Sequence, residues 1–442
     1  MSTYGFAILK LVVTIVAALS AGAGQDSRSI DDPGDLAEQA VKANPSLASM
    51  VKQIQSLGQK AEAAVKWNDP VISVEYSNVP WDTWSLGDSA MSGILVKLAQ
   101  KITLPGKNEL RKATYEAAQR VRSLALDEAR NQLVASVHAI YWRLTLVRNL
   151  RNITGRHVLL VKQLEESARA KYTVGSIGQH DVMNLQVARH RLEDDLEDYD
   201  QQDSVLTAEL NEALHRDVTT VIRTPQEFPD VENMTRMLRM LPPDRDLLNS
   251  ARVNRPLLRL MREQAKEHRI RAKQVAYERW PDFTVWAGYR FRAQAGIDGG
   301  TDFFSLGLSV PIPFDYTSRS SHDSESQDLL AEARVLGASS IADKIAAQIQ
   351  VHLSTMKRAA GKIESYESRL IPEAQRTLEM TLAAYQADRA DFATLFRAEL
   401  RLLDFERTVE KAHSSFLVNA AKLEAVVGSK LFGSNIVQEK KP

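Results

Sequence analysis

The sequence predicts an α+β fold built twice over, each half joining a β-hairpin to a hairpin of very long helices. Landmarks recur in the same order about 210 residues apart: AVKANPSL around Pro45 returns as ARVNRPLL around Pro256, Trp67 returns as Trp280, Pro105 as Pro313 and Tyr172 as Tyr385. Such self-similarity marks a tandem duplication. Runs of two-residue periodicity stop at proline and give way to long stretches almost free of Gly and Pro. Those stretches carry apolar residues at alternating spacings of four and three: Leu133, Val137, Ile140, Leu144 and Val147, then Ile345, Ile349, His352, Met356, Ala359, Ile363, Tyr366 and Leu370. That spacing is a heptad seam between helices.

The elements follow in order. Residues 1–24 hold one lysine, an apolar stretch from Leu11 to Leu19 and an A-x-A pattern at Ala21 and Ala23, which reads as a secretory signal; an uncleaved anchor is the alternative. No later run of eighteen apolar residues exists, so entry into a membrane would have to use strands. The first repeat, 25–216, has strands near 71–79 and 91–104 and long helices near 107–171 and 179–215. Ile72, Val74 and Tyr76 oppose Ser73, Glu75 and Ser77, and Ile94, Val96 and Leu98 oppose Lys97 and Lys101, the alternation of a half-buried strand. A proline-containing connector, 217–244, reads as irregular. The second repeat, 245–430, has strands near 283–293 and 303–312 and helices near 318–386 and 389–428, followed by a tail, 431–442. There Phe283, Val285, Tyr289 and Phe291 oppose Thr284, Arg290 and Arg292, while Phe304, Leu306, Leu308 and Val310 oppose Ser305, Gly307 and Ser309. Pro372 should kink the second long helix, because it removes a backbone donor. The first long helix, at about 1.5 Å per residue, would reach roughly 100 Å.

Composition excludes several classes. The 56 basic and 56 acidic residues balance, leaving no global footprint for nucleic acid. Cysteine is absent, which removes disulfides, thiolate metal sites and cysteine nucleophiles. No Gly-rich phosphate loop, G-x-S-x-G elbow or H-E-x-x-H helix occurs, so the chain does not read as an enzyme and no cofactor is expected. The nine histidines form no H-x-x-x-H pair, and His138 and His352 occupy nearly equivalent repeat positions where packing explains them.

Four strands cannot close a barrel, and an open edge in hydrocarbon would leave backbone groups unsatisfied at several kcal/mol each. If the greasy faces meet lipid, the chain must oligomerise. Two copies would give eight strands with a filled interior, three would give twelve with room for a lumen. A soluble sandwich, with those faces packed on each other or on the helices, is the competing arrangement.

At this point NPSL, WNDP, QKITLPGK, KYTVGSIGQHDVMNLQ and LIPEAQRTLEMTLAAYQADRADFATLFRAELRLLD, taken in order, carry a resemblance. From about Leu36 to Gly428 the chain resembles the outer-membrane efflux proteins of the TolC family. LPGK and SNVP look most like the heavy-metal branch of the cobalt-zinc-cadmium type. The resemblance implies a homotrimer, with a twelve-stranded β-barrel in the lipid of the cell outer membrane continuous with a periplasmic α-helical barrel. It implies passive exit of solutes or metal ions delivered by an inner-membrane pump of the resistance-nodulation-division or a related class through a periplasmic adaptor. Pro105, Gly106, Pro311 and Pro313 would then mark the passage from barrel to tunnel.

The same resemblance places a narrow end at the helical tips, around Tyr172, Gly175, Gly178 and Tyr385. Asp181, Asn184, Asp388 and Asp391 are the candidates for the constriction, although the equivalent second-repeat slots hold Thr394 and Arg397 instead of acids. Capping of helices is the competing explanation for these aspartates. Gly175 and Gly178 fit a turn that needs positive backbone angles. Trp81 and Trp84 suit either a membrane-rim position or ordinary loop packing. A periplasmic adaptor is the alternative function, but one hairpin between compact strand domains would suffice for it, whereas this chain has two hairpins and two strand pairs.

Overall fold

The computed structural model describes residues 30–432 apart from Ala90, residues 295–298 and 313–315, and Asp388. The leader at 1–24, most of the tail, Pro313 and Asp388 therefore lie outside the described residues.

Two helices open the described residues, α1 (Pro33–Ala43) and α2 (Pro45–Ala64). Each has proline in its first turn, where no backbone donor is missed, behind a side-chain cap. Asp32 accepts from the N–H groups of Gly34 and Asp35, and Asn44 from those of Ser46 and Leu47. Strands β1 (Val71–Ser77) and β2 (Gly93–Ile102) precede α3 (Lys107–Thr173), an unbroken helix of 67 residues, and α4 (Gln179–Ala213) returns beside it. The second repeat follows with α6 (Asp244–Asn254), α7 (Pro256–Tyr277), β3 (Phe283–Arg292), β4 (Phe303–Ser309), α8 (Tyr316–Ser365), α9 (Ile371–Gln386) and α10 (Phe392–Val427).

The connector is less irregular than its sequence suggests. It contains α5 (Val231–Met240), capped by Asp230, whose carboxylate accepts from the Asn233 N–H at 2.8 Å. Met234 and Met237 enter the main core from this helix. A helix of ten residues, set between Pro229 and Pro242, is too short for a helical period to stand out. Pro372 does not simply kink its helix either. A π-helical turn, Tyr366–Leu370, separates α8 from α9, and the Ile371 N–H reaches back five residues to the Tyr366 carbonyl. The wider turn takes up the register change just before the residue that cannot donate.

Helix α3 is the spine, packing against α2, α4, α7 and α10, while α8 packs against α7 and α10. The main core gathers Trp142, Leu144, Ile349, Met356, Phe416 and Leu423, and a second cluster nearer the tips gathers Val161, Leu185 and Leu395. The four strands form one antiparallel meander in the order β1-β2-β3-β4. Its central pairing, Gly93 with Arg292 through Ile102 with Phe283, joins the two repeats. The outer edges of β1 and β4 have no partner in this sheet. Among the described residues no helix is long and apolar enough to cross a membrane.

Candidate functional site: the two-faced sheet and the helical tips

The strand registers sort the side chains into two faces. On one face, Tyr76, Ile94 and Phe291 lie in a cross-strand row; next come Val74, Val96, Tyr289 and Phe304, then Ile72, Leu98, Ala287 and Leu306, then Gln100, Val285 and Leu308. Phe283 pairs with Ile102 at the end of this face, and Val310 follows β4 directly. All five charged residues of the strands, Glu75, Lys97, Lys101, Arg290 and Arg292, project from the other face. The apolar face is uncovered: Ile72 and Leu306 are each 71% exposed. A single chain therefore does not form the soluble sandwich, since neither helix nor second sheet covers this surface. The opposite face is more mixed than alternation suggested, because Leu95, Trp286 and Phe303 share it with the charges.

The passage from β2 to α3 is pinned from the other repeat. Gly106 adopts a left-handed conformation (φ 94°), which glycine tolerates without a Cβ penalty. Its N–H donates to Glu109, and the Tyr277 hydroxyl donates to the Pro105 carbonyl at 3.0 Å. Asp282 accepts from the Leu104 N–H and from the buried Lys107 ammonium at 2.9 Å, with Lys101 at 3.3 Å. Burial alone would raise the Asp282 carboxyl, but these donors hold it below the usual range. Asp282 stands two residues after Trp280, a landmark of the repeat. Its partners lie some 175 residues away, so local pattern gave no sign of the clamp. On the second repeat's side, Pro311 is exposed coil.

At the first tip, Gly175 has φ 74° and its N–H donates to the Tyr172 carbonyl, while Ser176 N–H reaches Lys171. Gly178, by contrast, is extended (φ −79°, ψ 155°) at the start of α4. A Cβ there would lie 2.5 Å from the His180 ring, an exposed side chain that can turn aside. The two repeat-equivalent tyrosines have diverged. Tyr172 is exposed, whereas Tyr385 is buried against Phe392 beneath the Lys171 ammonium, 4.2 Å from its ring.

Asp181 sits in the first turn of α4, where a carboxylate suits the helix dipole. Asp391 is the N-cap of α10, accepting from the Thr394 N–H at 3.0 Å, and this bond and the Thr394 side chain keep its carboxyl below the usual range. With α9 ending at Gln386 and α10 starting at Phe392, Asp391 closes the turn between the two helices. Asp181 and Asn184 line an open groove of about 630 Å³ between α4 and α10, with Phe392, Phe396 and Arg397 opposite.

Deeper along the hairpins a buried cluster joins the two repeats. His157 of α3 lies between two carboxylates of α10, with Nδ1 on Glu399 and Nε2 on Glu406 at 3.1 Å. Burial would depress the imidazole, but the hydrogen bonds its ring donates to both carboxylates outweigh it and push His157 up to about 9. Arg407 adds a bond to Asp195 of α4 at 2.7 Å and one to Thr154 of α3. His157 carries no motif, and only the heptad-like spacing of Glu399 and Glu406 on α10 hints at a buried acidic strip.

No protein-family model and no curated protein sequence matches the chain. Solved structures do. The outer-membrane channel OprN superposes with a TM-score of 0.70 at 12% identity, covering 90% of each chain. The Campylobacter jejuni CmeC outer membrane channel gives 0.70 at 10% identity over 92% of this chain and 90% of that one. The outer membrane protein VceC from Vibrio cholerae gives 0.67 at 15% identity over 90% and 97%. With about nine-tenths of each chain superposed, the likeness establishes that this chain has the fold of these outer-membrane channels.

Proposed function

We propose that three copies of this chain close their sheets into a twelve-stranded barrel in the outer membrane, continuous with a periplasmic tunnel of helices. The assembly serves as the passive exit duct of a tripartite efflux system, receiving solutes from an inner-membrane pump through a periplasmic adaptor. One observation carries this reading: an exposed apolar face, with every strand charge on the other side and two unpaired edges. Lipid satisfies the first feature, a water-filled lumen the second, and neighbouring copies the third.

The tips form the narrow, adaptor-facing end, with Asp181 and Asn184 at the constriction and Asp391 serving as a cap. LPGK and SNVP, which suggested heavy-metal cargo, have local structural work that explains them. Pro105 and Gly106 make the strand-to-helix turn, and Asn78, at φ 57°, donates to the Met91 carbonyl. Neither segment therefore supports a choice of cargo.

The test is the native mass of full-length protein extracted in mild detergent from a separated outer-membrane fraction. The expected protein mass is three times the chain's 49.3 kDa, less any removed leader. A soluble periplasmic monomer or dimer would overturn the barrel and favour a tethering role.

A further inference from the structure

The polar face of the sheet is lopsided in charge. Four cations, Lys97, Lys101, Arg290 and Arg292, share it with one carboxylate, Glu75. Lys101 is engaged by Asp282. Arg290 donates to the carbonyl of Met91, a contact that orients a guanidinium without neutralising it. Lys97 has no ion pair with a carboxylate among the described residues; its ammonium lies 4.3 Å from the centroid of the Trp286 ring.

Trp286 can hold that position because the sheet has been cleared beneath it. Gly307 is its cross-strand partner on β4, and a Cβ there would lie 2.2 Å from the indole carbons. The indole therefore rests on the bare backbone of Gly307. Gly288 opens the position beside Lys97, with Ser73 and Ser305 completing its cross-strand row. Any larger residue at 307 would push the ring out and take away the surface that supports the ammonium.

We propose that the barrel end of this conduit prefers anionic solutes, with Lys97, held above the sheet by Trp286, as its selecting cation. The proposal rests on the channel reading above. Three copies set three such lysines around one lumen, and a narrow passage lined by one sign of charge concentrates the opposite ion. Trp286 is a positioning residue: it fixes the height and direction of the ammonium and leaves the charge to lysine.

The experiment is the reversal potential of the full-length trimer in a planar bilayer under a potassium chloride gradient, kept at low salt so that screening does not hide the field. The expected chloride-to-potassium permeability ratio is roughly threefold to tenfold above unity. Lys97→Glu brings it to unity or below, and Lys97→Arg keeps it. Trp286→Ala lowers it part of the way and Trp286→Phe restores it, a pattern a purely structural tryptophan would not give. A potassium preference in the unaltered channel, or a ratio that Lys97→Glu leaves unchanged, overturns the proposal while the conduit stands. Inserted trimers that conduct nothing overturn the conduit and this inference together.

Discussion

His157 is a histidine that the fold keeps charged. Its folded value, about 9, lies above the 6.5 of an unperturbed imidazole. Its contribution to stability is therefore complete below about 6.5 and disappears as pH rises through about 9. Glu406 is shifted the other way, held below 4.5 by the His157 bond against the opposing effect of burial, so its contribution is present above about 4.5 and lost as pH falls through the lowered value. Thermal unfolding in detergent should show a plateau between these limits and a decline toward pH 9 on the order of 3 kcal/mol. His157→Phe should remove the alkaline decline and cost about 3–5 kcal/mol at neutral pH, because Glu399 stays buried without its cation and Glu406 keeps only the exposed Arg156. At the tip, Asp391→Ala should cost about 1 kcal/mol through loss of the α10 cap, and Asp391→Asn should recover most of it.

At the scale of elements, the strands were the most legible part of the sequence. Each has a solvent that differs between its faces, and a period of two records that difference residue by residue. Val96 and Leu306 were placed by alternation alone, and the observed registers put both on the uncovered face. Val96→Asp or Leu306→Asp should impair barrel assembly, since a carboxylate facing lipid is unfavourable in every copy, though by less than the ~2–4 kcal/mol of a lysine or arginine at the bilayer midplane. Ser305→Asp, one residue from Leu306 but on the polar face, should assemble normally; heat-modifiable migration on a gel separates the outcomes. The helices were legible as helices, because heptad seams and the lack of Gly and Pro persist for dozens of residues. What pairs across the repeats was not. Asp282 with Lys107, His157 with Glu399 and Trp286 on Gly307 are contacts between residues far apart in sequence or on separate strands. None leaves a periodic trace. The π-helical turn was hidden for a related reason: Pro372 announces a missing donor but not which register shift absorbs it. His413 donates from Nε2 to the Glu367 carboxylate within that turn at 2.8 Å, a contact only the packed bundle provides.

In the whole molecule, the pairing of β2 with β3 reaches beyond one chain. These strands meet as the end of one repeat and the start of the next, so in a ring of three chains β4 and the following copy's β1 stand in the same relation. The assembly then has an approximate sixfold axis, and the seam inside each chain serves as a template for the seam between chains. Ile102 faces Phe283. Val310 lies 208 residues after Ile102, as Pro313 does after Pro105, and Ile72 lies 211 residues before Phe283, as Pro70 does before Pro281. The template therefore sets Val310 opposite Ile72 of the neighbouring copy, and two residues inward sets Leu308 opposite Val74. Because the chain has no cysteine of its own, Leu308→Cys combined with Val74→Cys offers an unambiguous reading: oxidation should yield covalently closed trimers on a denaturing gel, and Leu308→Cys paired with Ile72→Cys should give far less. In the proposed trimer, duplication would thus write the geometry of the quaternary joint into the tertiary structure, where the β2–β3 seam of one subunit displays it.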